Sequence, residues 1–391
     1  MQFYLSVFKE ESKLDINYVP PRLPHRETEL NLLNQFFRFT IENPGKMTQR
    51  VLVTGKIGTG KTVLTQHFGQ NMIKEAQRRG INLRYVHVNC RECKGSLFMI
   101  LQYVMLKFSP NFPKRGYSAQ ELLQALTQIL DEQKAYVILT LDELDALIQA
   151  EGSDALYSLT RVQEDRTKTI QRISLIGILR ETAFLNKLDS STRSTLQHNI
   201  IQLDDYSKTQ LLDILNDRVA AAFHDNVIYS QTLDLVTESA ASFGGDARYA
   251  IELLWRAGKY ADTDNSRMVQ PEHVRKASES VYPIVRKDSI SQLNLHQKLF
   301  LLGVARRFKQ SEAAYLSMGE AENAYEIVCE EYGAEKRGHT QLWKYVQELS
   351  ALDVIKTEHS SAGQRGKTTL ISLPHVSATE LEQELVKTLG A

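Results

Sequence analysis

The chain has 391 residues, 42% of them hydrophobic, with 47 basic and 47 acidic side chains and three cysteines. That length exceeds one ordinary core and predicts two or three domains. The odd cysteine count excludes a disulfide framework, and no apolar run reaches bilayer length. The start "MQFYLSVFKEESKLD" lacks the basic opening and long apolar stretch of a secretion signal, so a cytoplasmic protein is expected. A net charge of zero leaves nucleic acid open, because a local basic surface is enough to bind it. Cys90 and Cys93 form one C-x-x-C with no further ligands at comparable spacing, which favours buried thiols over zinc.

In chain order, "YVPPRLPHRETELNLL" (18–33) reads by itself as a Pro-rich turn leading into an amphipathic helix. "RVLVT" (50–54) is a short apolar, β-branched run, a buried strand. "GKIGTGKT" follows, and Gly55, Lys56, Ile57, Gly58, Thr59, Gly60, Lys61 and Thr62 fit G-x-x-x-x-G-K-[ST], with Val63 in the helix behind. The chemistry needs those types. Glycines let backbone N–H groups turn in around phosphates, Lys61 would reach the β- and γ-phosphates, and the Thr62 hydroxyl would ligate Mg²⁺. ATP or ADP with Mg²⁺ is therefore expected. "LRYVHVN" (83–89) is a second strand, and "FPKRGYS" (112–118) is a basic spot carrying Lys114 and Arg115. "AYVILTLDELDAL" (135–147) is a strand ending in Asp142 and Glu143. There Asp142 would hold the metal, and Glu143 would orient or activate a water. Asp145 belongs to the site or to a helix start. "RISLIGIL" (172–179) and "NIIQL" (199–203) complete five strands separated by crossovers, an α/β P-loop NTPase core with a parallel sheet.

"SKTQ" (207–210) is a capping signature that opens a helical region over 204–287. A new unit begins at 288. It has helical patterns at 293–309, 321–332 and 339–355, then two short strands around a basic turn within "KTEHSSAGQRGKTTLISL" (356–373). Three helices and a hairpin describe a winged helix. Its last helix would present His339, Thr340, Gln341 and Lys344 outward, with Trp343 partly in the core, and the turn would present Arg365 and Lys367. Winged helices also serve as protein-binding modules, and that reading stays open.

These motifs together resemble the AAA+ ATPases, and among them the archaeal replication initiators of the origin-recognition (Orc/Cdc) family, over nearly the whole chain. Residues 18–33 are similar to that family's "YVP..LPHRE.EL" box, which lies over the adenine. The resemblance implies Tyr18, Val19, Leu23, His25 and Arg26 as base contacts or supports. "FGGDARYAIELLWRAG" (243–258) resembles the sensor 2 helix and implies that Arg248 reaches the β- and γ-phosphates from a helical lid. Two departures stand out. The family's "GISND" aligns with "GILRE", so Arg180 replaces the asparagine that helps to position water. The family's "LDPRVRSSL" aligns with "LDSSTRSTL", where Ser191 replaces the first arginine and Arg193 remains as a finger toward a neighbour's nucleotide. The implied architecture is an AAA+ core (1–203), a lid (204–287) and a winged-helix domain (288–391).

The implied function is nucleotide-switched recognition of double-stranded origin DNA, with slow hydrolysis and retained ADP, in a nucleoid setting. A replicative helicase and related initiator subunits would be the partners. A nucleotide-sensing transcriptional regulator and an ATPase whose winged helix binds protein are the competing expectations.

Overall fold

The structure is a computed structural model. It describes residues 6–161, 170–196, 199–281, 290, 293–311, 313–352, 354–359, 369–374 and 376–390. The chain divides into two compact units, one of residues 17–205 and one combining the N-terminal stretch to residue 16 with 206–391.

The first unit is a five-stranded parallel sheet wrapped by helices. Its strands are β1 (Arg50–Thr54), β2 (Leu83–Asn89), β3 (Tyr136–Asp142), β4 (Ile173–Leu179) and β5 (Ile200–Gln202), in the spatial order β2-β3-β4-β1-β5. These are the strands the apolar runs predict. Their composition also explains their order. β4 is buried at every residue, and β3 at all but its first, as strands covered by helices on both faces must be. β2 alternates buried and open positions, which suits the edge it occupies. One apolar cluster on one side of the sheet includes Leu101, Leu139, Leu147 and Leu175, and a second includes Phe37, Val53, Phe68 and Ile176. Each such side chain contributes about 1.5–3 kcal/mol by leaving water. The three cysteines are buried free thiols, as expected.

The second unit holds the lid helices Lys208–Ala222, Ser230–Ser242, Ala247–Thr263 and Pro271–Val281. The predicted cap forms: Ser207 Oγ accepts from the Gln210 N–H at 3.3 Å while Gln210 Oε1 accepts from the Ser207 N–H at 2.9 Å. One assignment changes. Residues 6–16 were expected to belong to the ATPase core, but they pack on the lid. Phe8 stacks on Phe223 at 4.8 Å, the Val7 N–H donates to Asp262 at 2.8 Å, and Trp255 Nε1 donates to Glu11 at 2.7 Å. Burial of Val7, Phe8 and Leu14 against the lid helices is the reason.

The winged helix follows. Helices Leu295–Gln310, Met318–Glu331 and His339–Ala351 pack with the antiparallel strands β6 (Leu316–Ser317), β7 (Lys356–His359) and β8 (Thr369–Ser372). A fourth helix, Ala378–Leu389, closes the domain. β6 and this last helix come in addition to the three helices and two strands that the sequence predicts. The second of these buries Ala378, Leu381 and Leu385 in the domain core.

Candidate functional site

β1 runs into the phosphate loop, and the loop turns directly into the helix Lys61–Arg78. Two glycines are required on steric grounds. Gly60 caps the helix at φ 88°, a left-handed conformation, and a Cβ at Gly55 (φ 149°) would lie 2.5 Å from the Leu203 carbonyl oxygen. Lys61 Nζ donates to the loop carbonyls of Gly55 at 2.6 Å and Lys56 at 2.5 Å, so the ammonium lies across the mouth of the loop. Thr59 is buried, Ile57 is exposed, Gly58 adopts φ 77°, and Val63 is half-buried in the first turn of the helix.

The end of β3 meets the first turn of that helix. Thr62 Oγ1 donates to Asp142 Oδ2 at 2.7 Å, and His87 Nε2 lies 3.3 Å from the same oxygen. Burial alone would push the Asp142 carboxyl up. The hydrogen bonds from His87 and Thr62 outweigh it and hold the group below its ordinary value. Asp142 is therefore ionised at neutral pH. His87 was not foreseen. It is the fifth residue of β2, and the register that pairs His87 with Thr140 brings its ring to Asp142 two residues further on. Its Nδ1 is buried with no hydrogen-bond partner among the described residues, which fits the tautomer with the proton on Nε2.

Glu143 has φ 50°, a left-handed backbone that side chains rarely adopt, and its N–H donates to Asp142 Oδ1 at 2.8 Å. Arg180, one residue past the end of β4, donates to Glu143 Oε1 at 3.1 Å. Asp145 lies in the first turn of the helix that follows β3.

The N-terminal box is pinned to this loop. Arg26 is 5% exposed, and its guanidinium donates to the Thr59 carbonyl at 3.2 and 3.0 Å and to the Asp204 carbonyl at 2.7 Å. It supports the phosphate loop from behind. His67 Nδ1 lies 3.1 Å from the Pro20 carbonyl, and Leu23 packs on the core. Tyr18, Val19 and His25 are half-buried, with His25 at φ 62°. Lys56 pairs with Asp205 at 2.5 Å. Arg193, in the short helix Ser190–Leu196, is half-buried.

In the second unit, the Asp246 carboxylate caps the helix Ala247–Thr263 by accepting the N–H groups of Arg248 at 2.8 Å and Tyr249 at 3.0 Å. Arg248 is exposed in that first turn. His339, Thr340, Gln341 and Lys344 are exposed at the start of the helix His339–Ala351, while Trp343 is half-buried against the winged-helix core. His339 pairs with Glu322 on the preceding helix. Lys114 and Arg115 are exposed in the ATPase unit, between the helices Leu97–Phe108 and Ala119–Glu132. Arg365 and Lys367 lie outside the described residues. Among the described residues no helix is long and apolar enough to cross a membrane, and no group of three His, Cys, Asp or Glu residues could hold a metal ion.

Three family profiles match. An AAA ATPase domain covers residues 22–171, a Cdc6 AAA+ ATPase-type lid domain 212–279, and a CDC6 C-terminal winged helix domain 288–383. The ORC1-type DNA replication protein 2 of Sulfolobus acidocaldarius is 36% identical over 376 residues, 94% of this chain and 90% of that one. The crystal structure of Cdc6p from Pyrobaculum aerophilum matches with a TM-score of 0.86 at 32% identity, covering 98% of this chain and 99% of that one. The ORC1 protein of Aeropyrum pernix, solved in complex with DNA, matches with a TM-score of 0.65 at 28% identity over 97% of each chain.

Proposed function

The chain belongs to the ORC1/Cdc6 family of AAA+ DNA replication proteins, and from that footing we propose that it is an initiator that binds double-stranded origin DNA under the control of bound ATP or ADP. The observation that supports this best is the meeting of Thr62 Oγ1 and Asp142 Oδ2 at 2.7 Å beside a complete phosphate loop, in a chain that ends in a winged helix.

The loop amides and Lys61 would cradle the phosphates. The Thr62 hydroxyl and the ionised Asp142 are the hard oxygen donors that Mg²⁺ takes beside substrate phosphates, so these two would hold it. When bound, the ion neutralises phosphate charge. Tyr18, Val19, Leu23 and His25 would hold the base, and Arg26 keeps the loop in shape for it. Glu143 would take the proton of the attacking water. Arg248 would add charge from the lid, and Arg193 would serve a neighbour's nucleotide.

On the DNA, the exposed start of the helix His339–Ala351 would enter the major groove, with Lys344, Lys114, Arg115, Arg365 and Lys367 meeting phosphates. A replicative helicase and related initiator subunits are the proposed partners. Hydrolysis would be slow and switch-like.

A second reading, a nucleotide-sensing transcriptional regulator, is favoured by Arg180 and Ser191 standing where the family has its water-positioning asparagine and first finger arginine. Selection of source-genome fragments by the purified chain at near-physiological salt separates the two. Enrichment of one or a few repeat-containing sites at replication start points is the expected result. Scattered promoters would favour the regulator. No enrichment over bulk DNA would mean that the winged helix needs a partner for DNA or binds protein instead.

A further inference from the structure

β3 and β4 are neighbouring parallel strands, with Leu141 opposite Gly177. Residues that leave the ends of these two strands emerge side by side, about 4.8 Å apart. Glu143 is the first residue beyond β3, and Arg180 the first beyond β4. Their side chains meet as an ion pair at 3.1 Å, with the Arg180 side chain 41% and that of Glu143 27% exposed. The Glu143 backbone is held in a left-handed conformation, so its side chain has a fixed point of departure. Among the described residues no other hydrogen bond or ion pair engages the Arg180 guanidinium, whereas Arg26, Arg172 and Arg275 are each engaged by several oxygens.

Hydrolysis asks one thing of Glu143. As the water oxygen bonds to the γ-phosphorus, the bond from that phosphorus to the β–γ bridging oxygen breaks. The electron pair leaves with ADP, and the water's proton passes to a Glu143 carboxylate oxygen. A carboxylate oxygen held by a guanidinium is not free to take that proton until the contact breaks. An asparagine at position 180 would not impose this, having no charge.

We propose that Arg180 is a positioning residue that restrains Glu143, so that the chain holds ATP in preference to hydrolysing it. This rests on the nucleotide-binding reading above. Because the pair is partly exposed, its effect is modest: an ion pair of this kind holds back a rate by about fivefold.

The test is single-turnover ATP hydrolysis with Mg²⁺ by the full chain, with ATP and ADP affinities measured in parallel by fluorescent-nucleotide titration. Arg180→Ala and Arg180→Gln should each hydrolyse about fivefold faster, with ADP affinity unchanged. Arg180→Lys, which restores one cationic donor, should fall back toward the parent rate. The acceleration should vanish when Arg180→Ala is combined with Glu143→Gln. Two variants of different size guard against a folding artefact, and circular dichroism checks each.

An unchanged or slower rate in both variants would overturn the proposal, making Arg180 a spectator or a phosphate-sensing group. So would an acceleration that survives in the Glu143→Gln background. If the parent chain binds neither ATP nor ADP, the nucleotide-switch reading fails and takes this one with it. If it binds both and only the acceleration is missing, this proposal alone fails.

Discussion

Two carboxyl groups of this chain are almost equally buried, yet their pKa values shift in opposite directions. Asp142 is 7% exposed at the end of β3, and Glu238 is 8% exposed on the lid helix Ser230–Ser242. Burial pushes both toward the neutral form. At Asp142, donors from His87 and Thr62 overcome it, and the group stays below the usual carboxylate range. At Glu238, burial dominates and the nearby Glu358 charge adds to it. Hydrogen bonds from Tyr315 at 3.2 Å and Ser372 at 3.3 Å do not make up the difference, and the pKa is raised. Burial thus sets the cost of a charge, and the neighbouring donors decide whether the charge is kept. One region holds its carboxylate as an anion. The other joins the lid to the winged helix through a carboxyl group whose pKa is raised.

The largest effect is expected at that junction. Arg275 is 1% exposed, donates to the carbonyls of Ala313 at 3.1 Å and Ala314 at 3.2 Å, and lies 4.2 Å over the Phe308 ring. Arg275→Ala leaves buried acceptors bare and should cost about 3–5 kcal/mol in denaturant unfolding. A loss under about 1 kcal/mol would mean that the junction does not depend on it.

Next in size is Asp142→Asn, which keeps the shape and removes the charge. Mg²⁺-dependent ATP affinity should fall roughly a hundredfold, about 3 kcal/mol, while affinity in chelator changes little. Equal losses with and without Mg²⁺ would break the metal half of the comparison. Lys61→Ala should lose a similar amount in both conditions, since its proposed role is to meet phosphate directly.

His87→Ala should cost less, about tenfold in Mg²⁺-ATP affinity, and His87→Asn should recover part of it by restoring a donor.

The smallest effect concerns pH. The folded pKa of Glu238 lies above its unfolded value near 4.5. The stability it contributes as a neutral acid is therefore fully present below about that value and is lost as pH rises through the folded pKa. Glu238→Gln should abolish this decline and make the chain relatively more stable at neutral pH. A parallel pH profile in the variant would assign the dependence to Asp234, whose pKa is also raised.

The parts of this molecule that sequence reveals are those set by neighbours along the chain. All five strands, the loop geometry, the Ser207 cap and the start of the helix His339–Ala351 follow from local pattern. The periodicity of 339–355 puts Leu342, Tyr345, Val346, Leu349 and Leu352 on one face; the first four are buried, but the helix ends at Ala351 and leaves Leu352 exposed. What escaped are meetings between residues far apart in sequence. His87 reaches Asp142 only because β2 pairs with β3, Arg26 grips a carbonyl at Asp204, and Glu238 finds Tyr315 and Ser372 across a domain boundary. No period encodes such contacts. A histidine within the alternating run "LRYVHVN" was the one available hint. Residues 6–16 were misassigned for the same reason, because chain order suggested the core while apolar burial chose the lid.

Because those residues belong with the lid, the backbone passes between the two units twice, after residue 16 and after residue 205. A protease nick at one crossing would leave the halves covalently tethered by the other. The second crossing is also anchored within the ATPase unit itself. Asp204 is gripped by Arg26 and Asp205 by Lys56, two residues that hold or form the phosphate loop. Any remodelling of that loop therefore tugs on the last links of the chain before it departs.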